Sequence, residues 1–366
     1  MPYIHENSQW PHLTWSMERL AEPLSSIRYR QGLLIGRMEA LGFQSRQETT
    51  LEALVQEVRK SSEIEGESLD EAQVRSSIAR RLGMDIAGLP QADRHIEGVV
   101  SMVLDATQRY NEPLTEERIF GWHAALFPTG WSNLTKITVG AWRDDSHGPM
   151  QVVSGPIGKE QVHYQAPDAD RIRPEMDAFL NWFANETSLN LVLKAGIAHL
   201  WFVTVHPLDD GNGRVGRAIM DMVLAQSDQK DWRCYSMSAQ IRNERKTYYD
   251  ILESTQKGSL DITPFLTWFL ECLNRAMLSA EEVLSRSLVR ARFWQVHQST
   301  QLNPRQRKVL GMLLEGLNGK LTNAKWAKIT DTSPDTALRD LNDLLGKQIL
   351  RREGEGRGAQ YFLIQL

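Results

Sequence analysis

His206-Pro207-Leu208-Asp209-Asp210-Gly211-Asn212-Gly213-Arg214-Val215-Gly216-Arg217 is the stretch from which the rest of the chain is best read. It lies between an apolar run at 189–205, which predicts a core helix, and a second predicted helix at 214–226. Glycines at such a junction let backbone N–H groups approach an anion, and the next helix points its unpaired N–H groups at the same place. Asp210 is the hard oxygen ligand that Mg²⁺ takes. Arg214 and Arg217 lie one turn apart, suited to grip phosphate oxygens. His206 precedes the loop and can act as a base near neutral pH. Each feature alone has an ordinary explanation: a turn, a loose glycine pair, a solvated arginine face. Within twelve residues they make a site for a Mg-bound polyphosphate beside a base. No Gly-x-x-x-x-Gly-Lys-Ser/Thr run exists, so this is not a P-loop.

The segment resembles the signature of the Fic family, His-x-Phe-x-(Asp/Glu)-Gly-Asn-Gly-Arg-x-x-Arg. It departs once, with Leu208 where the family has Phe to anchor the loop in the core. The resemblance implies a mainly α fold: a Fic helical core with a β-hairpin flap, plus a C-terminal winged helix. It implies transfer of AMP from Mg-ATP to a protein hydroxyl, with His206 as the base and Asp210 as the Mg²⁺ ligand. Gly211, Asn212 and Gly213 would cradle the α- and β-phosphates, with Val215 and Gly216 in the same phosphate-binding run. Arg214 would take the β-phosphate and Arg217 the γ-phosphate. Related Doc-type kinases carry Lys at the position of Gly213, so glycine there favours AMP transfer.

A second match is Ser61-Ser62-Glu63-Ile64-Glu65-Gly66, which resembles the family's inhibitory pattern, (Ser/Thr)-x-x-x-Glu-(Gly/Asn). Ser61, Glu65 and Gly66 would form a brake within the same chain. Standing alone, the segment reads as a glycine-capped helix end. A hairpin is expected with residues 137–143 as one strand, a polar turn at 145–148 and residues 150–153 as the other. It resembles the family's target-binding flap, which would hold a protein substrate by added-strand pairing. Tyr248 and Tyr249, upstream of Gln256, resemble the adenine-side helix.

Outward from the signature the pattern is helical on both sides. Three domains are expected: a helical extension at 1–95, a catalytic core at 96–290 and a winged-helix-like domain at 291–366. In the last, Thr322 and Ser333 read as helix caps before two short strands around a Gly-rich turn. Basic residues outnumber acidic ones there, but the expected recognition helix carries Asp335, Asp340 and Asp343 against Arg339. DNA binding is therefore not favoured, and protein contact or dimer support is the expected role.

The bulk properties fit this. Of 366 residues, 41% are hydrophobic and 24% charged, as in globular proteins. A formal charge of −4 implies no general attraction to nucleic acid. No apolar run nears the roughly 18 residues of a membrane span, and Met1-Pro2-Tyr3 opens no signal peptide. Cys234 and Cys272, the only cysteines, read as reduced core residues, so a cytoplasmic setting is expected. Three functional classes stand: AMP transfer restrained by Glu65, a nucleotide-sensing transcriptional regulator, and removal of AMP.

Overall fold

The computed structural model describes residues 3–85, 88–132, 134–146, 148–155, 159, 161–314, 316–317 and 319–364. Fourteen helices run in order along the described chain: α1 (Met17–Glu39), α2 (Phe43–Ile64), α3 (Glu71–Arg81), α4 (Arg94–Gln108), α5 (Glu116–Leu126), α6 (Ala169–Asn185), α7 (Leu191–Val205), α8 (Asn212–Asp228), α9 (Met237–Asn243), α10 (Arg245–Gln256), α11 (Thr263–Val296), α12 (Pro304–Leu314), α13 (Asn323–Thr330) and α14 (Pro334–Gly346). Three antiparallel two-stranded hairpins accompany them: β1 (Trp131–Ser132) with β2 (Thr135–Lys136), β3 (Gln151–Ser154) with β4 (Gln161–Gln165), and β5 (Leu350–Glu353) with β6 (Gln360–Leu363). The fold is mainly α, as the sequence implied.

Many helices start where a short polar side chain accepts an otherwise orphaned N–H. Asp70 accepts from Gln73, Asp93 from Ile96, Thr115 from Arg118, Ser236 from Ala239, Thr322 from Lys325 and Ser333 from Thr336.

The chain divides into two compact units, one of residues up to 39 and 46–281, the other of residues 40–45 and 282 onward. At the centre of the first lies α7, buried at every position from Val192 to Val205. It packs on α8 and α6, and α4 packs on α5 and α8. Phe179 and Trp182 of α6 meet Trp201 of α7. The N-terminal arm docks on the same cluster, with Trp10 edge-on to Trp201 and its indole N–H donating to Glu175 at 2.8 Å.

In the second unit, α12, α13 and α14 precede the β5–β6 hairpin around a core that includes Val309, Trp326, Leu341 and Tyr361. Asp340 is buried there, accepting from Arg305 and Asn303. Asp343 is tied to Gln306 and Lys347. The face of α14 is thus less acidic than the sequence suggested, because two of its three aspartates are spent on internal contacts.

The flap hairpin differs from the one expected. β3 pairs with β4, Gln151 opposite Gln165 and Ser154 opposite Gln161, with a bulge between Val152 and Val153. Residues 137–143 form no strand. Their backbone donors go elsewhere: Thr138 N–H to Asp209 Oδ2 at 2.7 Å, Gly140 N–H to His123 Nδ1 at 3.4 Å and Arg143 N–H to the Pro207 carbonyl at 2.9 Å. The segment braces the signature loop instead of pairing in a ladder. The polar turn survives, with Gly148 N–H donating to the Asp145 carbonyl at 2.9 Å, although His147 lies outside the described residues.

Candidate active site

His206 caps α7 in the left-handed region, φ 51° and ψ 56°, a costly conformation for a residue with a Cβ. The surroundings over-determine it. The buried Arg143 guanidinium donates from Nε to the His206 carbonyl at 2.8 Å, from Nη1 to Asp145 at 2.9 Å and from Nη2 to the Pro167 carbonyl. Leu208 is fully buried, so leucine fills the anchoring position. The Asn212 side chain closes the loop on itself: Oδ1 accepts from Leu208 N–H at 2.9 Å and Nδ2 donates to the Leu208 carbonyl at 2.7 Å.

His206 Nδ1 lies 3.2 Å from the Val203 carbonyl. A carbonyl only accepts, so Nδ1 carries the hydrogen and Nε2 keeps the lone pair of the neutral ring. Burial, reinforced by Arg143, holds the imidazole below its ordinary pKa against the pull of the Val203 carbonyl. The ring is therefore neutral near pH 7, with the protonation state of a base.

Gly211 stands at φ +80° before α8, and the first helical bond joins Val215 N–H to the Gly211 carbonyl at 2.9 Å. The N–H groups of Asn212, Gly213 and Arg214 precede that bond, as an anion site at a helix start requires. The N–H of Val215 is spent on that bond, and its side chain is fully buried. Gly216 faces α7, where a Cβ would fall 2.9 Å from Val203 Cγ1, so it permits close helix packing. Asp210 accepts from Gly211 N–H at 2.5 Å and from the Ser132 hydroxyl.

Arg217 is almost wholly buried, and its partners come from the end of α2. Nε donates to Ser61 Oγ at 3.0 Å, Nη2 to the Ser61 carbonyl at 2.8 Å, and Nη1 pairs with Glu65 Oε1 at 2.8 Å. The Glu65 carboxylate lies over Gly213, where a Cβ would sit 2.1 Å from Oε1, so any larger residue would displace it. Arg245 holds the end of α2 by donating to the Ile64 carbonyl at 2.7 Å. The two segments singled out in the sequence thus meet.

A cavity of about 570 Å³ opens over this arrangement, lined by Glu65, His206, residues 209–213 and the β3–β4 hairpin. Tyr248, Tyr249 and Gln256 line it too. The buried Tyr248 hydroxyl pairs with His199 Nε2 at 2.9 Å. Tyr249 lies beneath Arg245 with its hydroxyl 3.5 Å from Glu65, and Gln256 Nε2 is 3.4 Å from the Val203 carbonyl. The hairpin is pinned by the buried Tyr164, which donates to the Thr204 carbonyl at 2.7 Å.

Sequence reasoning missed several contributors. Arg143 is expected on a strand, and Ser132 and His199 carry no pattern of their own. Glu67 and His95 also join the site: Arg214 Nη1 donates to Glu67 Oε2 at 3.0 Å, and His95 Nε2 lies 2.5 Å from Glu67 Oε1. Only the charge of Glu67, two residues past Glu65, could have hinted at this.

A mainly helical fold whose central helix ends at a histidine before an anion-receiving helix start is the class defined here. Residues 113–224 match the family described as Fic/DOC, and the chain carries a Fic domain there. Residues 3–84, which hold Ser61, Glu65 and Gly66, match a domain of unknown function, DUF4172. The chain is similar to the protein adenylyltransferase Fic of Culex quinquefasciatus, 25% identical over 62% of this chain and 41% of that one. It is likewise similar to that of Aedes aegypti, at 26% over 62% and 41%. The chain therefore spans about two fifths of the length of these curated relatives. In fold it resembles a Fic family protein from Desulfovibrio desulfuricans G20, with a TM-score of 0.53, 21% identity, and 94% of this chain and 96% of that one covered. It also resembles a Fic domain containing signaling protein from Bacteroides thetaiotaomicron VPI-5482, with a TM-score of 0.51, 18% identity and coverage of 73% and 97%.

Among the described residues, no helix is long and apolar enough to cross a membrane. Nor do three or more His, Cys, Asp or Glu side chains group as a metal site. A lone carboxylate, Asp210, fits Mg²⁺ that arrives with a nucleotide, since Mg²⁺ takes one or two carboxylates and fills its shell with phosphate oxygens and water.

Proposed function

We propose that the chain is a protein adenylyltransferase that moves AMP from Mg-ATP to a hydroxyl side chain of a target protein, itself included, and is restrained by Glu65. The observation that carries this reading is the shared cavity. The neutral His206, with Nδ1 tied to the Val203 carbonyl, lines it together with Gly213 at the start of α8. His206 Nε2 takes the proton of the acceptor hydroxyl as its oxygen attacks the α-phosphorus, and pyrophosphate leaves. The N–H groups at the start of α8 and the guanidinium of Arg214 stabilise charge on the phosphates, as preorganised donors do. Asp210 would hold Mg²⁺, which supplies charge neutralisation on the polyphosphate when bound. Tyr248, Tyr249 and Gln256 lie on the side proposed for the adenine. The outer edge of the β3–β4 hairpin, where Val153 and Val162 are exposed, would hold the target segment by added-strand pairing.

Glu65 occupies the Arg217 guanidinium that would bind the γ-phosphate, so the resting chain would misplace the triphosphate. The test is incubation of the Glu65→Gly variant with α-labelled ATP in cell lysate. Labelled protein bands that vanish in Glu65→Gly/His206→Ala support the reading. Label that survives loss of His206, or no label with Glu65→Gly, overturns it.

A further inference from the structure

Glu65 accounts for Arg217, yet Arg214 is also occupied. We infer that Glu67 is a second restraining carboxylate, acting on Arg214, so that the resting cavity favours a nucleoside monophosphate over a di- or triphosphate. The inference rests on the proposal that Arg214 is a phosphate ligand.

The geometry is local to one turn. α2 ends at Ile64, and Gly66 at φ +87° reverses the chain in a conformation that side chains rarely adopt. Glu65 and Glu67 thereby flank the turn and face two arginines one helical turn apart on α8: Glu65 faces Arg217 at 2.8 Å and Glu67 faces Arg214 at 3.0 Å. Glu65 lines the cavity, and Glu67, outside that lining, holds the Arg214 guanidinium, so each carboxylate engages a cation proposed for a phosphate.

Arg214 is held on its other side by Phe127, whose ring centre is 5.0 Å from Cζ. The residue is only 6% exposed, and its Nε has no partner among the described residues. An arginine buried to this degree ordinarily spends its donors, so the unspent Nε calls for a partner such as a water or an anion. Glu67 is itself positioned. His95 Nε2 lies 2.5 Å from Oε1, and His95 Nδ1 lies 3.2 Å from the Leu126 carbonyl. That carbonyl only accepts, so His95 meets both partners best as an imidazolium. Consistently, Glu67 raises the pKa of His95, and His95 lowers that of Glu67.

With both guanidiniums engaged, the β- and γ-phosphates lose their two cationic partners, while an AMP moiety needs neither. The test is calorimetric titration of the full chain with AMP and with ADP, for wild type, Glu67→Gln, His95→Gln and Glu65→Gly. Wild type should bind AMP at least as tightly as ADP. Glu67→Gln should tighten ADP by about tenfold or more, the size of one charge-assisted hydrogen bond, and leave AMP unchanged. His95→Gln should shift the ratio in the same direction by less, whereas a merely structural role would lower thermal stability without moving the ratio. An unchanged ratio in both Glu67→Gln and His95→Gln overturns the inference, as does a wild type that already prefers ADP tenfold. The transfer assay is separate. A shifted ratio with an inactive Glu65→Gly keeps Glu67 as a restraint and removes the proposed activity. An unchanged ratio with an active Glu65→Gly does the reverse.

Discussion

The Glu65 carboxylate lies 2.8 Å from Arg217 Nη1 and so close above Gly213 that a Cβ there would fall 2.1 Å from its Oε1. It therefore fills space at the start of α8 and cancels the charge of the outermost signature arginine. On the proposed function, both effects would oppose a triphosphate in the same place.

Glu65→Gly should raise AMP incorporation at saturating ATP by on the order of a hundredfold, because an ångström of misplacement costs about that much. Arg217→Ala also breaks the pair but deletes the proposed phosphate contact, so it should give no such gain. Label incorporation by wild type and both variants measures this. A Glu65→Gly variant no faster than wild type would reduce the contact to a capped helix end.

His206→Ala should lower transfer by roughly 10² to 10⁴ while nucleotide binding persists, since the imidazole is assigned proton transfer only. The base is active when neutral, and burial lowers its pKa. Activity should then hold as pH falls through about 6.5, the ordinary histidine value, and decline only below it. A pH–rate profile of the Glu65→Gly variant reads the acid limb; a midpoint above the ordinary value would contradict the assignment.

Arg143→Ala should disturb the catalytic loop without touching substrate. Its buried guanidinium holds the His206 and Pro167 carbonyls and Asp145. Loss should cost about 2–3 kcal/mol of stability in urea unfolding and lower the transfer rate with little change in nucleotide affinity. Arg143→Lys should recover only part, since an ammonium cannot reproduce the fork. Equal loss of affinity and rate would point to general collapse of the site.

Asp210→Ala should remove activity together with its Mg²⁺ response, measured as rate against Mg²⁺ concentration. An unchanged response would overturn the assignment and turn attention to the neighbouring Asp209, whose Oδ2 accepts from Thr138 N–H at 2.7 Å.

What could be read without coordinates was what depends on neighbours in the chain. The caps at Thr115, Thr322 and Ser333 lie within three residues of their partners, and the buried course of α7 follows from a strongly apolar run in which only Lys194, His199 and Thr204 are polar. The signature could be read because its glycines, carboxylate, arginines and histidine all fall within twelve residues. Of the two flap strands, the one expected at 150–153 is present as β3, but its partner could not be read correctly. Residues 137–143 have strand-like composition, but their N–H groups are claimed by Asp209, His123 and Pro207, partners set by how the chain folds back. Asp340 looked like a surface charge and is an internal acceptor for Arg305. Glu65 on Arg217 was legible as a motif, whereas Glu67 on Arg214, with His95 behind it, was not. Local pattern specifies a helix and its cap through bonds a few residues long. Which distant charge meets a buried guanidinium depends on how α2, α4 and α8 pack, and burial gives that choice its energetic weight.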